Sequence, residues 1–267
     1  MTYPELWRRL LPLYDEGEAK AIVRMVLDVG FGLSLADVYA GKVTQLSQDD
    51  ARLLHKMMDK LVQGVPVQYV LGRAEFAGRT FEVGQGVLIP RPETEELCAW
   101  IVQVCKDRAT TGTPCTLLDI GTGSGCIATT LALDLPTWRV SAIDISQKAL
   151  EIATRNAQKQ GAEVQFALQD ALSMPPDTNL WDVIVSNPPY IDPADEHLPA
   201  LRHEPRSALV AGEQGFADLW AIVDTAPAVL RPGGWLLLEH GFEQGAAVRH
   251  RLESRGWEQV ETRRDRA

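Results

Sequence analysis

Three glycines between an apolar run and a helical pattern constrain this sequence more than any other feature. Gly121, Gly123 and Gly125 follow the run Leu117–Ile120 and directly precede Cys126. Glycine adopts positive φ and lets a ligand approach the backbone close to the N–H groups that begin a helix. The spacing differs from that of dinucleotide sites, and no lysine follows as in a P-loop. The segment is therefore either a ligand-binding loop of another kind or simply a glycine-rich turn.

Around this loop the chain alternates between predicted strands and predicted helices. Such alternation predicts an α/β fold with a mainly parallel sheet and helices on both faces. The predicted strands cover residues 115–120, 139–143, 164–168, 182–186 and 234–239. The predicted helices begin at residue 126 and cover 146–160, 219–230 and 244–255.

The first 75 residues have a different pattern, with apolar residues at helical spacing and few β-branched runs. Residues 1–75 are therefore predicted to form a small all-helical domain, in which Ser34 and Ser47 are N-caps. Short strands are predicted at 69–72, 75–83 and 87–89, and a helix starts after Arg91. The predicted domains are the helical domain 1–75, a β-hairpin linker 76–92 and an α/β domain 93–267.

Charge is divided unevenly between these regions. The 267 residues contain 26 Lys+Arg and 36 Asp+Glu, a formal net charge of −10. Residues 1–80 hold 10 basic and 10 acidic residues, so the remaining 187 residues carry the whole −10. This balance disfavours binding to phosphate backbones, which depends on clustered Lys and Arg.

Several classes of protein are disfavoured by composition. No apolar run approaches the roughly 20 residues that span a bilayer, and no secretory signal is evident, so we expect a cytoplasmic protein. The four cysteines form no C-x-x-C pair and the five histidines are scattered, so no metal site is expected. Reduced, mostly buried thiols fit that environment.

Acidic residues lie at the ends of three successive predicted strands, at Asp119, Asp144 and Asp170. Asp144 lies about 20 residues beyond the loop, where a carboxylate can accept hydrogen bonds from both hydroxyls of a ribose. Three such acids suit a ligand with a sugar, an adenine amino group and a positive centre. S-adenosylmethionine fits better than a dinucleotide, because no cradle for a pyrophosphate is evident. One or two of these acids can instead be helix caps, a role that suits Asp170 best.

Asn187-Pro188-Pro189-Tyr190 ends the fourth predicted strand, because prolines cannot continue the ladder. The Asn187 side-chain oxygen and the Pro188 carbonyl can together accept both hydrogens of a planar –NH2 group, on which Tyr190 can pack. Holding both N–H bonds aims the otherwise delocalised lone pair at a methyl carbon. A proline turn with a capping asparagine is the simpler alternative. Combined with the glycine loop, the motif predicts a methyltransferase that acts on a planar amino nitrogen.

With these motifs in place, the sequence closely resembles the HemK/PrmC family, the protein-(glutamine-N5) methyltransferases that modify peptide-chain release factors. The resemblance covers nearly the whole chain, and the stretch Ile89–Glu95 is its most specific part. The related enzymes for ribosomal protein glutamine look different in that stretch. The other matching segments are the helical N-terminal domain, Gln68–Gly72, Phe76–Phe81, Asp119–Gly125, Asn187–Tyr190, Glu204-Pro205 and Ala208-Leu209.

The resemblance implies a Rossmann-like class I S-adenosylmethionine-dependent methyltransferase domain, with a helical domain that docks the protein substrate. Arg91 and Glu93 organise the pocket wall or the domain junction, or else form only a helix start and a surface ion pair. No general base is required, because the amide can lose its proton to water after attack. The implied contacts are Gly121, Thr122, Gly123, Ser124 and Gly125 to the methionine part of the cofactor, Asp144 to the ribose, Asp170 and Ala171 near the adenine, and Asn187, Pro188, Pro189 and Tyr190 to the glutamine amide, with Asn187 also bordering the cofactor.

The implied reaction is methyl transfer from S-adenosylmethionine to N5 of the glutamine in the Gly-Gly-Gln motif of release factors. The expected enzyme is a monomer that acts on protein, with no membrane and no nucleic-acid partner. One alternative is an amino methyltransferase for adenine in nucleic acid, which shares Asn-Pro-Pro-Tyr. Another is a non-catalytic adaptor that keeps the fold and binds release factors.

Two positions depart from the family pattern. Ala171 stands where many relatives have a bulky residue, so stacking on adenine must come from elsewhere. Family members usually continue through another strand, whereas here residues 257–262 are expected to supply one edge strand and the last edge strand is expected to be missing.

Overall fold

The computed structural model describes residues 1–106, 115–171, 181–195 and 201–265. It divides into two compact units, Met1–Arg73 and Ala74–Ala267. No helix among the described residues is long and apolar enough to cross a membrane.

The first unit is built from helices. Asp15, Ser34 and Ser47 cap three of them, each side chain accepting a hydrogen bond from a backbone N–H in the first turn, and Gly32 ends the second helix in a left-handed conformation. The apolar faces of these helices meet in one core that includes Leu6, Val26, Leu54 and Met58. The helices are α1 (Tyr3–Arg8), α2 (Glu16–Phe31), α3 (Leu35–Tyr39), α4 (Gln48–Val62) and α5 (Val67–Leu71), with a 3-10 turn at Lys42–Gln45.

The segment that follows corrects two strand predictions. Residues 69–72 belong to helix α5 and its cap, because Pro66 starts a turn that buries Val70 in the helical core. The hairpin itself is β1 (Arg73–Phe76) with β2 (Arg79–Glu82). Residues 87–89 form no strand, since the Ile89 N–H donates to the Glu204 carboxylate instead of a ladder.

The second unit alternates strands and helices, as the sequence predicts. Short 3-10 turns lie at Pro193–Asp195 and Arg206–Ala208. Its elements are α6 (Pro92–Lys106), β3 (Thr116–Ile120), α7 (Cys126–Asp134), β4 (Arg139–Asp144), α8 (Gln147–Gln160), β5 (Val164–Leu168), β6 (Trp181–Ser186), α9 (Gly212–Gly215), α10 (Ala217–Val229), β7 (Leu230–Leu238) and α11 (Gly245–Ser254).

These strands form a parallel sheet in the order β5-β4-β3-β6-β7. Side chains alternate along each strand, so Leu117 and Val183 face the core against α6 and α7 while Leu118 and Ile184 face α10. The chain moves outward from β3 through β4 to β5 and then returns to the other side of β3. Ligands of open α/β sheets bind at the carboxyl ends of the strands where the order reverses in this way.

The prediction of a strand at residues 257–262 is wrong. Gly256 ends α11 with φ 84°, and Gln259 has φ 55°, a left-handed conformation that extended backbone does not use. Trp257 instead packs against the apolar cluster under α10. Residues 255–265 contain no strand.

Candidate active site

The glycine loop closes over the carboxyl ends of two neighbouring strands. The N–H groups of Gly121 and Thr122 donate to the Ile143 carbonyl at 2.9 and 3.1 Å. Gly121, Gly123 and Gly125 all have positive φ, at 72°, 56° and 77°. An L side chain at any of the three would strain this turn, which explains the choice of glycine.

The space around the three glycines differs. A Cβ added at Gly121 would meet nothing within 4 Å, and one at Gly123 would meet only the Gly121 carbonyl, at 4.0 Å. At Gly125 a Cβ would lie 2.8 Å from the Ala153 Cβ, because α7 begins in close contact with α8. The first two glycines therefore border open space for a ligand, and the third allows close helix packing.

Asp144 ends β4 with its carboxylate held by two main-chain donors. Oδ2 accepts from the Gly123 N–H at 2.9 Å, and Oδ1 accepts from the Ser146 N–H at 2.8 Å. Each carboxylate oxygen has two acceptor sites, so both oxygens can still accept a ribose hydroxyl. With the open side of the glycine loop, this arrangement fits S-adenosylmethionine.

Asp119 lies under the loop, away from the open side. Its side chain is fully buried, and Oδ2 accepts from the Thr122 hydroxyl at 2.6 Å. Burial raises the pKa of Asp119 to about 7, against the opposing effect of the Thr122 hydrogen bond. Asp119 therefore supports the loop from below, which differs from the ligand role suggested by its place near the end of a strand.

The glycine loop is anchored at Ser124 by Asn156, a residue for which the sequence predicts no role. The Asn156 amide on α8 donates to the Ser124 carbonyl at 2.8 Å and to the Glu82 carbonyl at 2.9 Å. Its Oδ1 accepts from the Glu82 N–H at 2.7 Å. Nothing in the local sequence pattern marks Asn156, because its partners lie 32 and 74 residues away.

The turn after β5 contains the remaining acid. Asp170 is exposed, and Ala171 is half-buried against the apolar cluster under α10. The preceding Gln169 N–H donates to the Asp144 carbonyl at 3.1 Å, which ties this turn to the end of β4. Beside Asp144, the aliphatic side chain of Ile145 is 73% exposed.

The register of the sheet brings Asn-Pro-Pro-Tyr next to the glycine loop. Ile120 of β3 pairs with Ser186 of β6, and the Ser186 hydroxyl donates to the Ile120 carbonyl at 2.7 Å. Gly121 and Asn187 are the residues that directly follow these two strands. The structure therefore places the two predicted motifs at adjacent strand ends.

Asn187 is hydrogen-bonded to a helix and, through it, to a third strand end. Its Nδ2 donates to the Thr94 hydroxyl at 3.1 Å, and that hydroxyl donates to Glu239 Oε2 at 2.7 Å. Thr94 is in the first turn of α6, and Glu239 follows β7 directly. Neither Thr94 nor Glu239 received a role from the sequence.

Tyr190 is fixed through its backbone. Its carbonyl accepts from the buried Gln244 amide at 3.1 Å, and a Cβ on Gly215 would lie only 2.2 Å from that carbonyl oxygen. Burial raises the pKa of Tyr190 to about 12, and the Glu239 carboxylate adds to the rise. The phenol therefore stays protonated in neutral solution.

From the sequence alone, Arg91 can form a surface ion pair, but its partner in the structure is a buried residue. Arg91 pairs with the buried carboxylate of Glu204, which also accepts from the Ile89 N–H at 3.0 Å. This contact joins the segment before α6 to the segment that follows Asn-Pro-Pro-Tyr.

Other chemistry is limited in the part of the chain that the structure describes. There, no three His, Cys, Asp or Glu side chains cluster in a way that could hold a metal ion. The four cysteines are buried thiols, and burial raises the pKa of Cys126 to about 12.

Comparison with known proteins identifies the family. Residues 6–72 match the model of the PrmC N-terminal domain, and residues 113–259 match a methyltransferase domain. Release factor glutamine methyltransferase of Salmonella typhimurium is 39% identical over 95% of this chain and 90% of its own length. The Coxiella burnetii protein of the same name is 37% identical over 91% and 86%. This chain belongs to the release factor glutamine methyltransferase family.

Solved structures agree on the fold. The catalytic domain of hMettl16 aligns with a TM-score of 0.51 and 17% identity over 71% of each chain. An S-adenosylmethionine-dependent methyltransferase of Agrobacterium tumefaciens aligns with a TM-score of 0.50 and 18% identity, over 70% of this chain and 58% of that one. These structures confirm the predicted class I methyltransferase fold. The predicted family and the S-adenosylmethionine cofactor are confirmed by the matching methyltransferase domain and the relatives above.

Proposed function

We propose that this chain transfers a methyl group from S-adenosylmethionine to N5 of the glutamine in the Gly-Gly-Gln motif of peptide-chain release factors. The observation that carries the proposal is the pairing of Ile120 with Ser186, which sets the glycine loop beside Asn-Pro-Pro-Tyr. The relatives named release factor glutamine methyltransferase support the choice of substrate.

The cofactor half of the proposed site is the loop with the strand end beside it. Gly121, Thr122, Gly123, Ser124 and Gly125 would hold the methionine part, and Asp144 would hold the ribose. Asp170 and Ala171 would lie near the adenine. Because Ala171 offers little surface, we propose that the exposed Ile145 side chain packs on the adenine ring. When bound, S-adenosylmethionine supplies a methyl group activated by the positive sulfur.

The amide half would be formed by Asn187, Pro188, Pro189 and Tyr190, with Asn187 also bordering the cofactor. Asn187 Oδ1 and the Pro188 carbonyl accept the two amide hydrogens, and the two prolines keep these acceptors in place. Tyr190 provides a face for the flat amide group and does not act as a base, since its pKa is about 12. The amide proton leaves to water after transfer, so positioning supplies most of the catalysis.

The helical unit would recognise the protein substrate, so the proposed domain roles are docking for residues 1–75 and catalysis for 93–267, joined by 76–92. The unit spans the match to the PrmC N-terminal domain, and it is the part of the chain without net charge. We propose that the enzyme works in the cytoplasm as a monomer, on protein and not on nucleic acid.

A single labelling experiment tests this function against its competitors. The full chain is incubated with methyl-labelled S-adenosylmethionine and a release factor, the same factor with the motif glutamine replaced by alanine, or adenine-containing DNA. We expect label only on the unaltered release factor, on the glutamine amide. Label on DNA would point to an adenine methyltransferase, and binding of the factor without label would point to an adaptor; either result overturns the proposal.

A further inference from the structure

Three side chains, Asn187, Thr94 and Glu239, form a hydrogen-bond chain, and the two behind Asn187 have no part in the reaction described above. The three side chains come from three separate elements: the first turn of α6, the loop after β6 and the residue after β7. The distances are 3.1 Å from Asn187 Nδ2 to Thr94 Oγ1 and 2.7 Å from Thr94 Oγ1 to Glu239 Oε2. Thr94 is only 2% exposed, so water does not readily replace either contact.

The hydrogen-bond chain has a direction because its two ends differ in chemistry. An ionised carboxylate only accepts hydrogen bonds, so the single Thr94 proton goes to Glu239. The Thr94 oxygen can then only accept from Asn187, and it therefore binds the NH2 end of that amide. The other end, Oδ1, points away from Thr94 and remains an acceptor. An asparagine without such a partner can turn over by 180° and exchange its donor and acceptor.

Glu239 is held where it can fix this direction. Its N–H donates to the Ser186 carbonyl at 3.0 Å, which extends the pairing of β6 and β7 by one residue. Burial raises the pKa of Glu239, and the hydrogen bond from Thr94 opposes the rise. Glu93 of α6 and Asp265 near the C-terminus add to the rise, whereas Asn187 opposes it. The hydrogen bonds from Thr94 and Asn187 oppose this rise without cancelling it, and the direction of the hydrogen-bond chain holds for the ionised form of Glu239.

We propose that Thr94 and Glu239 are positioning residues that keep Asn187 Oδ1 turned toward the substrate, so that the site accepts a primary amide and rejects a carboxylate. The inference rests on the proposed function, because it assigns the substrate glutamine to Asn187. Two acceptors suit the NH2 group of glutamine. A glutamate carboxylate has no hydrogen to give them and would meet two oxygen dipoles of like sign, which is unfavourable.

The direct test uses Thr94→Val, which keeps the shape and removes the hydroxyl, with Thr94→Ser as the conservative variant. We expect Thr94→Val to lower kcat/KM for the release factor by about 10- to 100-fold, while the Kd for S-adenosylmethionine stays within twofold of wild type. Thr94→Ser should recover most of the loss. Thr225→Val, which removes a hydroxyl bonded within helix α10, is the matched control and should retain wild-type kinetics.

Glu239→Gln tests the direction of the chain. Its amide can donate to Thr94, which frees the Thr94 proton to bond Asn187 Oδ1 and turn that amide over. A similar loss of kcat/KM is expected, with unchanged cofactor affinity. Glu243→Gln, a neutralised carboxylate on the exposed surface nearby, is the control. If Thr94→Val and Glu239→Gln both stay within twofold of wild type, or if both lose cofactor affinity in proportion to activity, the proposal is overturned.

A measurement without substrate separates this inference from the proposed function. In protein labelled with 15N-asparagine, the NH2 resonances of Asn187 are assigned from their absence in Asn187→Ala. Slow hydrogen exchange of one of these protons in wild type and fast exchange in Thr94→Val support the proposed hydrogen-bond chain, even if no release factor is methylated. Equal exchange rates in both proteins contradict the proposed hydrogen-bond chain, even if wild type methylates release factors. Thermal melts identify a variant that fails to fold. If Thr94→Val does not fold, Glu239→Gln carries the test, and if Glu239→Gln does not fold, Thr94→Val carries it.

Discussion

The two halves of the site are built in different ways. The cofactor half holds Asp144 with backbone N–H groups, and its partner Gly123 lies 21 residues away in sequence. The amide half holds Asn187 through the side chain of Thr94, 93 residues earlier, which in turn bonds Glu239, 145 residues after Thr94. The first half is therefore a property of a short motif, whereas the second exists only because three distant strand and helix ends meet.

Replacing Asn187 by alanine should separate the two halves most clearly. We expect Asn187→Ala to reduce methyl transfer by about 10³-fold, because it removes an acceptor from the reacting amide. Cofactor affinity, measured by calorimetry, should be unchanged. Loss of cofactor binding in this variant would show that Asn187 belongs to the first half instead.

Asp144→Ala is the complementary change. It removes both oxygens proposed to hold the ribose, so we expect the Kd for S-adenosylmethionine to rise about 100-fold. At saturating cofactor, kcat should fall much less. If calorimetry shows wild-type affinity, the ribose is held elsewhere.

A matched pair of glycine substitutions sharpens the contrast within the cofactor half. Gly125→Ala places a Cβ 2.8 Å from Ala153 and should destabilise the protein by about 2 kcal/mol in urea unfolding. Gly121→Ala meets open space, so it should cost about 1 kcal/mol from its positive φ alone. That Cβ would occupy ligand space and weaken cofactor binding. Equal loss of stability in the two variants would contradict the assignment of open and packed sides.

The smallest expected effect is a pH dependence under the loop. Because burial raises the pKa of Asp119 to about 7, the folded state binds a proton more tightly than the unfolded state. The free energy of unfolding should therefore fall by roughly 1 kcal/mol from pH 6 to pH 8 as that proton is lost. Asp119→Asn should flatten this part of the profile, measured by urea unfolding at several pH values. An unchanged slope in the variant would assign the dependence to another group.

The difference between the halves also explains what the sequence could predict. The glycine loop, Asp144 and Asn187–Tyr190 are visible because each follows an apolar run at a strand end. Thr94 lies within the stretch Ile89–Glu95 and Glu239 ends a predicted strand, but neither pattern reveals their role, which arises only when α6 and β7 are brought to Asn187.

The same reasoning covers the errors in secondary structure. Residues 69–72 are apolar enough for a strand, but burial of Val70 among helices makes them helical. Residues 257–262 fail as a strand because Gln259 adopts positive φ, which side-chain pattern alone does not reveal. In both places tertiary packing or backbone conformation outweighed local propensity.

The distance along the chain from Thr94 to Glu239 has a consequence for synthesis. Their contact joins residues 145 positions apart. At about 5–20 residues per second, the ribosome adds Glu239 roughly 7–30 s after Thr94. The glycine loop and Asp144 emerge well before that, so a nascent chain can acquire its cofactor-binding features while Asn187 still lacks its anchor. Methyl transfer by the nascent enzyme would then begin only after residue 239 has been added.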